Sequence, residues 1–206
     1  MQQVAIKNII FDLGGVFMNI DFAKTEQAFR NLGITEFSSM FTQHHANDLF
    51  EKLETGKLTP AAFYAAFREA TKRALSDEQI KDAWNALLLD FPVERLEWLE
   101  NIQQRYKTFL FSNTNLIHYI AFMEIYRNTT DRKDFNNFFI KAYYSHEIGL
   151  RKPYVDAYQF ILKEQNLLPQ ETLFIDDTIK NIAGAQAAGL QTIHLQAPLT
   201  VLDLKL

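Results

Sequence analysis

Short apolar runs recur along the chain, and the first four end where polar residues or glycines take over. The first covers residues 4–11 and closes with Ile9-Ile10-Phe11 before Asp12-Leu13-Gly14-Gly15. Its length and glycine turn predict a buried strand. Similar runs at residues 108–111, 141–144, 172–175 and 191–195 predict four more. Helical spacing lies between the later runs. Residues 154–165 place Ala157, Tyr158, Ile161 and Leu162 on one face, and residues 179–188 end at Gly189. Strands alternating with helices predict an α/β fold with a Rossmann-like parallel sheet and right-handed crossovers. In such sheets, ligands bind beyond the carboxyl ends of the strands.

Residues 20–90 have a different pattern: helix signals follow one another with no convincing strand. Thr59-Pro60 reads as an N-cap followed by a first-turn proline, ahead of Phe63, Ala66, Phe67 and Ala70 at helical spacing. Ser76 with Gln79 forms a capping box preceding Ile80, Ala83, Trp84, Leu87 and Leu88. Gly33 and Gly56 punctuate the earlier helices. The expected organisation is an α/β core from residues 1–19 and 91–206, with an all-helical cap at 20–90 inserted after the first strand.

Composition narrows the function classes. With 48% hydrophobic residues and 18 phenylalanines among 206 residues, the chain is globular rather than disordered. A net charge of -4 predicts no nucleic-acid partner and no anionic membrane surface. The absence of cysteine removes disulfides and thiolate metal sites. No apolar stretch approaches the roughly 18 residues of a membrane span, and residues 1–7 lack a secretory pattern, so the expected location is the cytoplasm. Oligomeric state has no sequence signal.

The chemistry gathers where the strands should end. Asp12 precedes a glycine turn that lets backbone approach a ligand, although an aspartate there also serves ordinary turns. Ser112-Asn113-Thr114-Asn115 follows the second run and offers donors to an anion, with Ser112 or Thr114 equally suited to capping the next helix. Lys152 stands in Gly149-Leu150-Arg151-Lys152-Pro153 after the third run. Asp176-Asp177 ends the fourth; adjacent carboxylates repel unless a cation or hydrogen bonds compensate. Oxygen-rich ligands without cysteine favour magnesium over zinc.

The order carboxylate, Ser-Asn, Lys and paired carboxylates resembles the four motifs of the haloacid dehalogenase superfamily. The likeness extends over nearly the whole chain. The string Gly149-Leu150-Arg151-Lys152-Pro153 and the spacing of Asn181, Gly184, Ala185 and Gly189 resemble its capped phosphatase branch, which includes bacterial alpha-glucose-1-phosphatase and the phosphatase domain of soluble epoxide hydrolase. The resemblance implies a nucleophile at Asp12, whose carboxylate would bind Mg2+ together with the Gly14 carbonyl and Asp177. Asp176 would support Asp177 or reach the metal through water. Ser112, the Asn113 amide and Lys152 would hold the phosphoryl oxygens of a small phosphate-ester substrate.

Most phosphatases of the superfamily carry a second aspartate two residues after the nucleophile, where this chain has Gly14. The alpha-glucose-1-phosphatase branch shares that glycine. Asp21 is a candidate substitute acid, although its better role is the N-cap of the helix that ends near Gly33. Without a positioned acid, substrates with good leaving groups, such as hexose 1-phosphates, are expected to react best. Two other readings remain at this point: a metal-free 2-haloacid dehalogenase, which Asp176-Asp177 argues against, and a weakly catalytic phosphate-ester-binding regulator. His44-His45 falls within the expected helices and points to two faces; His118, His146 and His194 share no metal-ligand spacing.

Overall fold

A computed structural model describes residues 5–132 and 134–206. The elements in chain order begin with β1 (Asn8–Phe11) and continue through a helical block. That block contains α1 (Phe22–Asn31), α2 (Phe37–Met40), the strands β2 (Phe41–Thr42) and β3 (His45–Ala46), α3 (Asp48–Glu54), α4 (Pro60–Thr71) and α5 (Asp77–Asn85). There follow α6 (Val93–Ile102), β4 (Lys107–Ser112), α7 (Leu116–Thr129), β5 (Lys141–Tyr144), α8 (Ser145–Ile148) and α9 (Val155–Glu164). Next come β6 (Thr172–Asp176), α10 (Ile179–Ala187) and β7 (Gln191–His194), and a 3-10 turn at Val201–Asp203 ends the order. The first strand is shorter than expected, and Val4 lies outside the described residues.

A five-stranded sheet has the order β5-β4-β1-β6-β7, with every neighbouring pair parallel. β1 is central, and Phe11 pairs with Leu110 on one side and Ile175 on the other. The period-two alternation of a strand divides its side chains between two apolar layers. Ile9, Phe11, Leu110, Leu173 and Ile175 pack with Leu96 and Leu99 of α6 and with Phe122 and Tyr126 of α7. Ile10, Phe109, Phe111 and Phe174 pack on the other face with Tyr158 and Ile161 of α9 and Ile182 of α10. The predicted α/β fold is observed.

The helical block encloses a third apolar cluster of its own, rich in aromatic residues: Phe29, Phe37, Phe41, Phe50, Phe63, Phe67 and Trp84. Its caps follow the sequence. Thr59 accepts from Ala62 N, the Ser76–Gln79 capping box is complete, and Asp21 Oδ1 accepts from Ala23 N at 2.9 Å. Three features differ from expectation. The block contains the antiparallel hairpin β2–β3, so His44 sits in a turn and His45 in a strand rather than on a helix. α5 ends at Asn85, leaving Leu87 and Leu88 beyond it, where Leu88 bridges to Ile20. α4 buries Phe63, Tyr64 and Phe67 while Ala70 is exposed. Among the described residues, no helix is long and apolar enough to cross a membrane.

Candidate active site

The carboxyl ends of β1, β4 and β6 and the turn between α8 and α9 bring the predicted residues to one cavity of about 340 Å³, the size of a small-ligand site. Asp12, Gly14, Ser112, Asn113, Lys152 and Asp177 all border it. Backbone pairing sets this placement: Asp12 N donates to Ile175 O at 2.9 Å, so Asp12 leaves the sheet beside the end of β6. Gly15 follows with φ +72, and a Cβ there would lie 2.5 Å from Asp177 Oδ2. Glycine is therefore needed for both the turn and the approach of Asp177.

Lys152 is the hub. Its Nζ lies 2.7 Å from Asp12 Oδ1 and 2.7 Å from Asp176 Oδ2, with the side chain almost wholly buried. Burial alone would lower its pKa, but the carboxylates of Asp12 and Asp176 outweigh burial and leave it raised. Asn113 holds the backbone at this point, since its Oδ1 accepts from Lys152 N and its Nδ2 donates to Lys152 O, each at 2.9 Å. The Asn113 side chain is thus engaged with the Lys152 backbone. Asn115, rather than Ser112 or Thr114, caps α7 by accepting from His118 N. Ser112 borders the cavity.

The paired aspartates have different surroundings. Asp176 is fully buried and accepts from Lys152 Nζ, from Thr178 N at 2.8 Å and from Asn181 Nδ2 at 3.0 Å on both oxygens. Asp177 faces the cavity, and His194 Nε2 lies 2.9 Å from its backbone oxygen. Carboxylate oxygens of Asp12, Asp176 and Asp177 come within 4.8 Å of one another. Three carboxylates against one ammonium leave excess negative charge. Asp12 is pushed up to about 7, chiefly by burial, with Lys152 opposing and Asp176 and Asp177 reinforcing the shift. Burial, then the charge of Asp176, also raises Asp177. A hard divalent cation would relieve this repulsion, and the all-oxygen donors suit magnesium.

The helical block supplies residues that sequence patterning missed. From the β2–β3 turn, Gln43 Nε2 donates to Asp177 Oδ2 at 3.0 Å, while Lys180 Nζ donates to His44 O at 3.1 Å. On the other side, Arg151 pairs with Glu54 at 2.8 Å and with Glu51 at 3.5 Å. Burial raises the Glu54 pKa and Arg151 opposes that shift. Gln43, Glu51, Glu54, His44, His45 and His118 border the cavity, and Asp21 does not. The signal for Glu51 and Glu54 was an acidic pair at i and i+3 on one helix, but only the fold shows that Arg151 faces it.

A family model of haloacid dehalogenase-like hydrolases matches residues 6–189. The chain belongs to that family. As a haloacid dehalogenase-like hydrolase, it is 32% identical over 191 residues to the D-ribitol-5-phosphate phosphatase of Bacteroides thetaiotaomicron, covering 92% of this chain and 91% of that one. A crystal structure of a haloacid dehalogenase family enzyme from the same organism, a variant in complex with magnesium and inorganic phosphate, superposes with a TM-score of 0.86 at 33% identity. That match covers 94% of this chain and 96% of the other. A haloacid dehalogenase-like hydrolase structure from Porphyromonas gingivalis gives 0.82 at 29% identity, covering 92% of this chain and 91% of that one.

Proposed function

We propose that this hydrolase removes phosphate from a small sugar or sugar-alcohol monoester, through a covalent phosphoryl intermediate on Asp12. The observation that carries the proposal is the position of Asp12. It stands at the cavity wall, held by Lys152 at 2.7 Å, with Asp177 beside it and the helical block above. Lys152 engages Oδ1 and is the side-chain hydrogen-bond partner of Asp12 among the described residues. Oδ2 attacks phosphorus as the bond to the leaving oxygen breaks, and water then cleaves the acyl phosphate to release inorganic phosphate and restore the carboxylate. Ser112, the Asn113 backbone N–H and Lys152 hold the transferring oxygens, because phosphoryl transfer depends mainly on positioning and charge neutralisation. Asp12, the Gly14 carbonyl and Asp177 would hold magnesium, which when bound offsets the charge of the phosphoryl group. Asp176, saturated by hydrogen bonds, positions Lys152 and the start of α10. Residues 20–90 act as a cap that reads the leaving group and excludes water.

The relative's activity directs attention to polyol phosphates. Gly14 keeps hexose 1-phosphates beside them, because an anomeric oxygen leaves more readily without a general acid. A Cβ at position 14 would lie 2.9 Å from Ile20 Cδ1, so the end of that apolar side chain would have to shift to admit an acid there. The test is phosphate release from D-ribitol 5-phosphate, hexose 1-phosphates and hexose 6-phosphates, with and without magnesium. The proposal expects magnesium-dependent turnover of at least one of these esters, and 1-phosphates faster than matching 6-phosphates. Dehalogenation of 2-haloacids without metal, or no turnover of any ester, would overturn it.

A further inference from the structure

We infer that His118 is a specificity-determining residue whose Nδ1 accepts a hydrogen bond from a hydroxyl of the substrate's leaving group. The inference rests on the phosphatase reading above for the class of ligand. It rests on local geometry for the role of the ring.

His118 lies in the first turn of α7, the helix that follows Ser112 and Asn113, and Asn115 Oδ1 fixes the turn through His118 N at 3.1 Å. Nε2 lies 3.0 Å from Trp84 O. A carbonyl only accepts, so Nε2 carries the hydrogen. Thr25 Oγ1 donates to the same carbonyl at 3.1 Å, which anchors the acceptor. The imidazole stacks on the Trp84 ring with centroids 4.3 Å apart and planes 27° from parallel. A neutral imidazole has one N–H, so Nδ1 presents a lone pair. Burial pushes the His118 pKa down to about 4 against the opposing bond to Trp84, which keeps the ring neutral at physiological pH.

The ring borders the cavity that Asp12 and Lys152 share, and among the described residues no protein group donates to Nδ1. Phe122, Leu87, Leu88 and Phe41 also line this cavity and present apolar walls. A fixed acceptor in an apolar wall favours a ligand that brings a donor. It discriminates against an ester of equal size whose leaving group has none, because a buried acceptor left unpaired is costly. Sugar and sugar-alcohol phosphates provide such hydroxyls; alkyl and aryl phosphates do not.

The experiment uses 15N-histidine NMR on the Asp12→Asn variant, which keeps the ester intact, at neutral pH with magnesium. In the free protein, His118 should show a protonated Nε2 and an unprotonated Nδ1. D-Ribitol 5-phosphate should shift Nδ1 into the hydrogen-bonded range, and inorganic phosphate should leave it in place. A protonated Nδ1, or a bound ribitol ester that leaves Nδ1 unmoved, overturns the inference. In the enzyme with Asp12 intact, His118→Phe should lower kcat/KM for the ribitol ester about tenfold or more relative to p-nitrophenyl phosphate, mainly through KM. His118→Asn, with an oxygen near the Nδ1 position, should recover part of that selectivity. Equal losses on both substrates would assign His118 a structural role only. A wild-type protein that hydrolyses no ester would refute the phosphatase reading instead, and the NMR comparison would still decide the role of His118.

Discussion

The sheet edge and the helical block build the cavity by different means. Asp12, Ser112 and Asp177 follow or end strands whose neighbours are fixed by backbone ladders, and the Asn113 side chain clamps the Lys152 backbone through two hydrogen bonds. Gln43 and Glu54 reach the same cavity from a two-residue-strand hairpin and a seven-residue helix. These are held by aromatic packing, with Phe50 against Phe41 at 5.1 Å and against Trp84 at 4.9 Å. Backbone register fixes positions closely, whereas side-chain packing can be reshaped without losing the fold. Under the proposed function, phosphoryl chemistry belongs to the sheet edge, and leaving-group recognition to the block together with His118 of α7.

The sharpest test of that division lies on the sheet. Asp12→Asn should lower kcat at least about a thousandfold while the protein stays folded, since asparagine keeps the size of the side chain and an acceptor for Lys152 but cannot serve as the nucleophile. Steady-state kinetics and a thermal melt decide it; near-wild-type turnover would remove Asp12 from the mechanism. The next effect lies in the block. Phe50 is fully buried, and Phe50→Ala should cost about 3–5 kcal/mol through lost burial and a cavity. If the block is a cooperative unit of its own, hydrogen exchange should show α3–α5 losing protection while β1, β4 and β6 keep theirs. Equal loss throughout would make the chain a single unit.

The same division explains what could be read from the sequence. The sheet residues were legible because each stands at the end of an apolar run, as Asp12 does after Ile9-Ile10-Phe11, so a pattern within a dozen residues locates it. The hairpin was not, because Phe41–Thr42 and His45–Ala46 are too short to show alternation. Gln43 meets Asp177 across 134 positions, a contact with no local signature. Asn181 and Gly184 stand out in the sequence only through family spacing. The structure gives them reasons: Asn181 donates to both oxygens of Asp176, and a Cβ at Gly184 would overlap Pro153 O, which follows Lys152 directly.

A third prediction concerns charge at the sheet edge. In the metal-free protein Asp12 sits near pKa 7, above its ordinary value, so the folded state holds this proton more tightly than the unfolded chain does. That contribution to stability is present at low pH and is lost as pH rises through about 7. Magnesium needs the ionised carboxylates, so its binding competes with the proton. Below pH 7 each unit should weaken magnesium about tenfold, equivalent to about 1.4 kcal/mol. The magnesium-induced rise in Tm should therefore widen from pH 5.5 to pH 8. A rise independent of pH over that range would place the cation away from Asp12.

The smallest effect should come from the hairpin. Gln43 Nε2 donates to Asp177 Oδ2 at 3.0 Å and to Thr178 Oγ1 at 3.3 Å, so one amide joins the block to the end of β6. A bond to a charged group is stronger than a neutral one, but this one is partly exposed and its loss can be repaired by water. Gln43→Ala should therefore cost about 1 kcal/mol, seen as a KM increase of a few-fold. The division predicts that kcat changes less than KM, because Ser112 and Asp12 keep their positions at strand ends, and Lys152 its clamp on Asn113, when the hairpin loosens. Gln43→Glu should be worse than the alanine variant, since a carboxylate there would face Asp177 and add to the excess negative charge. A loss in kcat above a hundredfold at unchanged KM in Gln43→Ala would mean that the hairpin takes part in the chemical step, and the separation of chemistry from recognition would fail at that residue.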